Sequence, residues 1–298
     1  MRLNWKILKY DLVMLIAAAI WGFAFVAQIE GMKNVGPFTF IAVRFALGAL
    51  SLVPLMILFW EKFSDNHLVR KSNSKLLLQG GIIAGILLFL GASFQQVGLQ
   101  YTTAGNGGFI TGLYVVMVPI AGIFWKHRTG VMTWIGAGLA AVGLYFLTSA
   151  GTVEMSLGNW LVFVCAICWT FHVITIGSYS PRVDSIKLAF IQFALCSFLA
   201  FIVALIYEKF VLQEIMNAAL PIIYAGVFSS GIAFTLQIVG QKVAPPAHAS
   251  IILSLESVFA VLGGWLLLSE TLGYRSIIGC VLMLCGMIMS QLRKNSGD

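Results

Sequence analysis

Along the chain, apolar residues come in blocks of about 20, separated by short polar breaks. A helix of about 20 apolar residues is long enough to cross a hydrocarbon core of roughly 30 Å. Ten such blocks occur, at about 11–29, 37–60, 75–99, 104–124, 131–148, 157–177, 185–206, 217–240, 246–268 and 275–292. The longest connection runs from about Glu61 to Ser74, and no soluble domain fits between the blocks. A basic tail and Ala17-Ala18-Ala19 give the first block the look of a cleavable signal peptide, but its apolar run continues through Trp21 and Phe25 to Ala27. That length predicts a retained first helix.

The polar and aromatic marks on these blocks repeat. One spacing lays Trp21 over Trp169, Phe23 over Phe171, and Arg44-Phe45-Ala46-Leu47 over Gln192-Phe193-Ala194-Leu195. Gly136 and Gly143 in the fifth block are matched by Gly279 and Gly286 in the tenth. If each half holds five spans, the second half enters the bilayer from the opposite face. The prediction is an all-α integral membrane protein of ten transmembrane helices, built as two inverted five-helix repeats at about 13–148 and 158–290.

Composition agrees, since 60% of the 298 residues are apolar and only 10% charged, against roughly a quarter charged in soluble proteins. The net charge of +7 is explained by position. With both termini placed in the cytoplasm, Arg2, Lys6, Lys9, Lys62, Arg70, Lys71, Lys75, Lys126, Arg128, Arg182, Lys187, Lys242, Arg293 and Lys294 fall inside, and only Lys33, Lys209 and Arg275 outside. This asymmetry sets orientation in a cytoplasmic membrane and requires no nucleic-acid partner.

Motifs for several chemistries are missing. There is no Gly-Lys dipeptide and so no phosphate-cradling loop, no H-E-x-x-H and no G-x-S-x-G, which removes direct ATP-driven pumping and leaves enzyme readings weak. Neither a cofactor nor a resident metal is indicated. Cys165, Cys168, Cys196, Cys280 and Cys285 all fall inside predicted spans, and the C-x-x-C of Cys165 and Cys168 reads as packing on one helix face.

An ionisable group at mid-bilayer costs roughly 2.5–3.5 kcal/mol on insertion scales, so it is a functional candidate by default. Arg44, about 10 Å below the outer end of the second span at 1.5 Å per residue, and Glu256, near the middle of the ninth, are two such groups. One could bind or gate a solute while the other pairs with it or accepts a coupling proton. The plainer readings are a structural pair, or an Arg44 that snorkels to the headgroups. Uncharged polar residues could line a cavity with them. Trp21, Phe25 and Gln28 share a face of the first span, and Trp169 and His172 occupy the equivalent stretch of the sixth. One of Gln95 and Gln96 should face inward, and Asn106, Tyr114 and Gln237 complete the set. For any single amide, bonding between helices is as good an explanation, and both tryptophans suit a core equally well. His172 could also carry a proton, whereas His67, His127 and His248 read as interfacial or solvated. The G-x-x-x-G pairs Gly81/Gly85 and Gly108/Gly112 permit close helix approach, within the chain or between copies, and Pro119 could kink the fourth span.

Trp21-Gly22-Phe23 followed by Pro37 and Arg44-Phe45, then Phe109-Ile110-Thr111-Gly112-Leu113-Tyr114-Val115-Val116 with Pro119, then Leu255-Glu256-Ser257-Val258-Phe259, Gly264-Trp265 and Glu270, resemble the EamA family of the drug/metabolite transporter superfamily over nearly the whole chain. The resemblance implies ten helices, cytoplasmic termini and movement of small metabolites, often amino acids or toxic compounds, frequently outward. The family commonly has proline after the ninth-helix glutamate. Here that residue is Ser257, which leaves the expected kink without its proline.

These features lead to a secondary transporter, not an enzyme, with a small-molecule substrate and the lipid bilayer as partners and possible coupling to a proton. Amino acids are favoured because one cation and one anion are available inside. The alternative is a membrane-embedded binding or scaffold protein that keeps the fold without transport. Oligomeric state is left open.

Overall fold

The structure, a computed structural model, describes residues 5–58, 74–102, 104–125, 129–147, 156–267 and 273–291. The loop after Leu58 with His67, the segment carrying His127, and Glu270 lie outside these, as do Arg2, Lys62, Arg70, Lys71, Lys126, Arg128, Arg293 and Lys294.

Ten helical spans follow one another: α1 (Trp5–Gly31), α2 (Pro37–Leu58), α3 (Ser74–Gly98), α4 (Ala104–Gly112 and Tyr114–Phe124), α5 (Val131–Leu147), α6 (Leu157–Tyr179), α7 (Ser185–Tyr207), α8 (Ala219–Ile223, Tyr224–Ala233 and Phe234–Gly240), α9 (Pro246–Leu253 and Glu256–Leu267) and α10 (Tyr274–Gln291). Among the described residues nine are long and apolar enough to cross a membrane, and α5 is a shorter apolar helix. The chain is a multi-pass membrane protein. Leucines, isoleucines and phenylalanines stand exposed around the outside of the bundle, where lipid tails take the place of water.

The packing looks the same when the halves are exchanged. The contact of α3 with α6 has its counterpart in α8 with α1, that of α7 with α3 in α2 with α8, and that of α1 with α9 in α6 with α4. The remaining main contacts join equivalent helices, α2 with α7 and α5 with α10. A Cβ at Gly136 would lie 2.6 Å from the carbonyl oxygen of Gly286, and one at Gly143 2.7 Å from that of Gly279. The four repeated glycines therefore face each other, and the crossing is antiparallel. The α2–α7 pair is antiparallel too. Ser197 Oγ donates to the Ala42 carbonyl at 2.8 Å, and the Glu208 carboxylate beyond the end of α7 accepts from Phe38 N at 2.9 Å and from Thr39 N at 2.8 Å and Oγ1 at 2.7 Å, capping α2. In these two pairs, helices in the same place of the two halves run in opposite directions. The Gly81/Gly85 and Gly108/Gly112 pairs serve packing within the chain, Gly81 against Ile191, Gly85 against Leu195, and Gly112 against Leu144 and Ser257.

Among the described residues, three spans depart from plain α-helix. In α4 the irregular turn is at Leu113, upstream of Pro119, where Leu113 N bonds Ile110 O at 3.2 Å and Val116 N bonds Leu113 O at 3.0 Å. In α9 it is at Ser254-Leu255, with Leu255 N to Ile252 O at 3.2 Å and Ser257 N to Ser254 O at 3.1 Å. These tightened turns reach back three residues instead of four. The α9 break forms without a proline, and Ser257 Oγ donates to the Gly108 carbonyl of α4 at 2.8 Å, tying the two broken helices together. The third departure is a wide π-helical stretch in α8, Tyr224–Ala233, which the hydrophobic pattern does not announce. Its small residues Gly226, Ser229, Ser230 and Gly231 let the turns widen, and α2 closes on them, with Gly48 against Ser230 and Ser51 against Gly231.

Candidate functional site

The irregular stretches of α4, α8 and α9 border one cavity, walled also by α1, α2, α3 and α6. Trp21, Gln28 and Phe25 reach it from one face of α1, Arg44 from α2, Gln95 from α3, Thr111 and Tyr114 from α4, Trp169 from α6, Gln237 from α8 and Glu256 from α9. The equivalent tryptophans of the two halves thus meet in one cavity.

An aromatic group the sequence did not single out lies between them. Phe234, at the junction of the π-helical and α-helical parts of α8, has its ring 4.6 Å from Trp21 and 5.7 Å from Trp169, centroid to centroid, with Phe45, Phe193 and His172 each at 6.0 Å. The widened helix also leaves the Ser229 carbonyl to accept from Trp21 Nε1 at 3.1 Å, which fixes that indole.

The polar wall is left unsatisfied. Gln28 Oε1, Arg44 Nε, Thr111 Oγ1, the Tyr114 hydroxyl and Gln237 Oε1 are buried without a hydrogen-bond partner, and all five residues line the cavity. Buried polar groups are nearly always paired, so each orphan calls for an explanation such as water or a ligand. The Tyr114 hydroxyl faces the Glu256 carboxyl group. Glu256 opens the second part of α9 and is buried. Arg44 is buried, 3% exposed, with its guanidinium 4.7 Å from the Phe45 ring and 5.8 Å from Phe40. Neither the snorkelling Arg44 nor the structural Arg44–Glu256 pair is found. The side chain is buried against aromatic rings, and among the described residues the ion pairs are Lys33 with Glu30 and His248 with Asp11.

Two expected wall residues lie elsewhere. His172 is fully buried behind the aromatic wall, its Nε2 3.0 Å from Gln192 Oε1 and its ring edge-on to Trp169, because its position on α6 points toward α7. Asn106 is half-buried in the first part of α4 and is not a lining residue. Of the adjacent amides, Gln95 lines the cavity while Gln96 reaches the Gln28 carbonyl. His248 is not solvated, since it is buried against Asp11. The five cysteines are free, and among the described residues no cluster of metal-ligating side chains occurs.

The model of the EamA-like transporter family matches residues 8–149 and again 156–291. The chain belongs to this family. A protein of Archaeoglobus fulgidus described as an uncharacterized transporter is 33% identical over 292 residues, which cover 97% of this chain and 87% of that one. The uncharacterized transporter YoaV of Bacillus subtilis is 22% identical over 289 residues, with 95% and 96% covered. A solved crystal structure superposes with a TM-score of 0.77 over 95% of this chain and 96% of its own at 17% identity, a likeness of fold alone. This EamA-like protein is therefore a member of a transporter family, and transport of small molecules is its general activity.

Proposed function

We propose that this protein is a secondary transporter that moves small metabolites, amino acids or related zwitterions, by alternating access between two inverted five-helix repeats at 13–148 and 158–290. The cytoplasmic membrane, with both termini inside, is the location that the asymmetry of basic residues supports. Outward movement is the direction that the family resemblance implies. One observation carries the reading: an aromatic-walled cavity between the halves holds a buried guanidinium and a buried carboxyl group that do not pair, and five polar atoms of its wall, Arg44 Nε among them, have no hydrogen-bond partner. Leaving such groups bare costs roughly 1–3 kcal/mol each, and a solute with a carboxylate, an ammonium group and a flat or apolar body supplies what they lack. The carboxylate goes to Arg44, the ammonium to Glu256 and the body to Trp21, Phe234 and Trp169. Antiparallel crossing of equivalent helices supports the inverted relation, because an axis in the membrane plane reverses helix direction.

Binding is tested by tryptophan fluorescence on the purified protein, with Trp21→Phe and Trp169→Phe variants to assign the signal. An amino acid should quench it, its methyl ester should bind at least about tenfold more weakly, and Arg44→Gln should remove that preference. If acid and ester bind equally well, Arg44 is not the carboxylate site.

A further inference from the structure

The two halves build the cavity largely from equivalent positions. Trp21 matches Trp169 in the repeat. Helix contacts extend the match, since Gly98 at the end of α3 meets Val162 and Gly158, while Gly240 at the end of α8 meets Met14 and Tyr10. That register sets Gln95 against Gln237. The tightened turns agree: Leu113 N bonds Ile110 O and Met117 N bonds Leu113 O in α4, as Leu255 N bonds Ile252 O and Phe259 N bonds Leu255 O in α9. Thr111 is thereby set against Leu253, and Tyr114 against Glu256. Both members of each of these pairs line the cavity.

Other positions break the pattern. Ala24, Gln28 and Arg44 line the cavity from the first half, and their equivalents His172, Ile176 and Gln192 do not. The reverse asymmetry is confined to Ser229 and Phe234, at the π-helical stretch that α3 lacks. The cavity therefore reaches further along α1 than along α6. Arg44 and Gln192 each lie about two turns into their helix, but from opposite ends of the bundle. Gly177 near the end of α6 meets Pro246, and Gly240 meets Met14, so α6 finishes where α1 begins.

His172 and Gln192 are fully buried and bonded to each other, with His172 Nε2 3.0 Å from Gln192 Oε1. Their other polar atoms, His172 Nδ1 and Gln192 Nε2, have no partner. Facing an amide oxygen, the ring Nε2 donates, which leaves Nδ1 as an acceptor and the Gln192 amide nitrogen as a donor. Buried polar groups are nearly always paired, so a bond that serves structure alone leaves two atoms unexplained.

We propose that His172 and Gln192 are solute contacts of the oppositely open state, where they take the places that Ala24 and Arg44 hold in this one. The proposal rests on the reading of the chain as an inverted-repeat transporter. In such a carrier, exchanging the conformations of the two halves turns the opening from one face of the membrane to the other. The exchange withdraws Ala24 and Arg44 from the cavity and brings in an amide donor for a solute carboxylate and an imidazole acceptor for a solute N–H.

The test is accessibility and needs no solute. Ala24→Cys, Arg44→Cys, His172→Cys and Gln192→Cys, made one at a time, are treated in sealed, oriented vesicles with a charged methanethiosulfonate added to one face. The modified position is read by peptide mass, so the native cysteines stay in place. The variants at 24 and 44 should react from the face where α1 finishes, and those at 172 and 192 from the face where α1 begins. Two positions on different helices for each face guard against one variant that fails to fold. If those at 172 and 192 react from neither face, or all four react from the same face, the bond between His172 and Gln192 is structural and the proposal falls. The expected accessibility without solute counterflow would count against the transporter reading and leave this inference standing. Counterflow without that accessibility would overturn this inference alone.

Discussion

Alanine at Gly143 should pry the two halves apart where α5 and α10 cross. The added Cβ would lie 2.7 Å from the Gly279 carbonyl oxygen, 2.7 Å from Met283 Cγ and 2.9 Å from Met283 N, whereas ordinary contact begins near 3.4 Å. Two of these atoms are backbone, so no rotamer change relieves them, and the helices must separate by a large fraction of an ångström. Overpacking of this kind costs about 1–3 kcal/mol, partly offset by the roughly 0.5–1 kcal/mol that alanine gains over glycine within a helix. Gly138, on the same helix with nothing within 4 Å, provides the control, since its alanine collects the gain without the clash. Unfolding by SDS titration in mixed micelles should find Gly143→Ala less stable than Gly138→Ala by about 2 kcal/mol. Adding Gly279→Ala to Gly143→Ala should cost less than the sum of the two, because helices already parted by one methyl accept the second. Equal stability of the Gly143 and Gly138 variants would refute this close crossing of equivalent helices.

Other consequences follow from the broken helices and the aromatic wall. Ser257→Ala removes the hydroxyl that bonds the Gly108 carbonyl and should cost about 0.5–1.5 kcal/mol in the same titration; no loss would mean that the α4–α9 tie is not structural. Phe234→Leu keeps an apolar side chain between Trp21 and Trp169 but removes the flat ring, so binding of aromatic solutes should weaken more than that of aliphatic ones in the fluorescence assay, and an equal change for both would remove Phe234 from the solute contact. Phe234→Ala leaves a void in a well-packed cluster and should destabilise by about 3–5 kcal/mol, read as a lowered midpoint in the same unfolding experiment.

Much of this architecture could be read from the residues. Blocks of apolar residues gave the ten spans because a lipid environment leaves helices little alternative for satisfying the backbone. Trp21 and Gln28 come together because helical spacing places them on one face, and Trp169 joins them as the repeat equivalent of Trp21. Phe234 gave no such signal, since a phenylalanine in an apolar span looks like any lipid-facing or core residue, and only the widened turns of α8 carry it between the tryptophans. The break at Ser254-Leu255 was hidden for a related reason, as it arises without the proline expected at the next turn. His248 reads as interfacial because hydropathy grades depth along each helix and does not register a partner on another, here Asp11 of α1. His172 misleads in the opposite sense, because a histidine at a repeat-equivalent position need not share the tryptophan's face.

The most direct test of the account is counterflow. Purified protein in liposomes preloaded with an unlabelled amino acid should take up the labelled form above the level of empty liposomes, without ATP, because a carrier that alternates access exchanges solute across the bilayer. Glu256→Gln should lower that uptake while the protein stays folded. No uptake by demonstrably folded wild-type protein, across amino acids, other small metabolites and organic cations, would contradict the central claim.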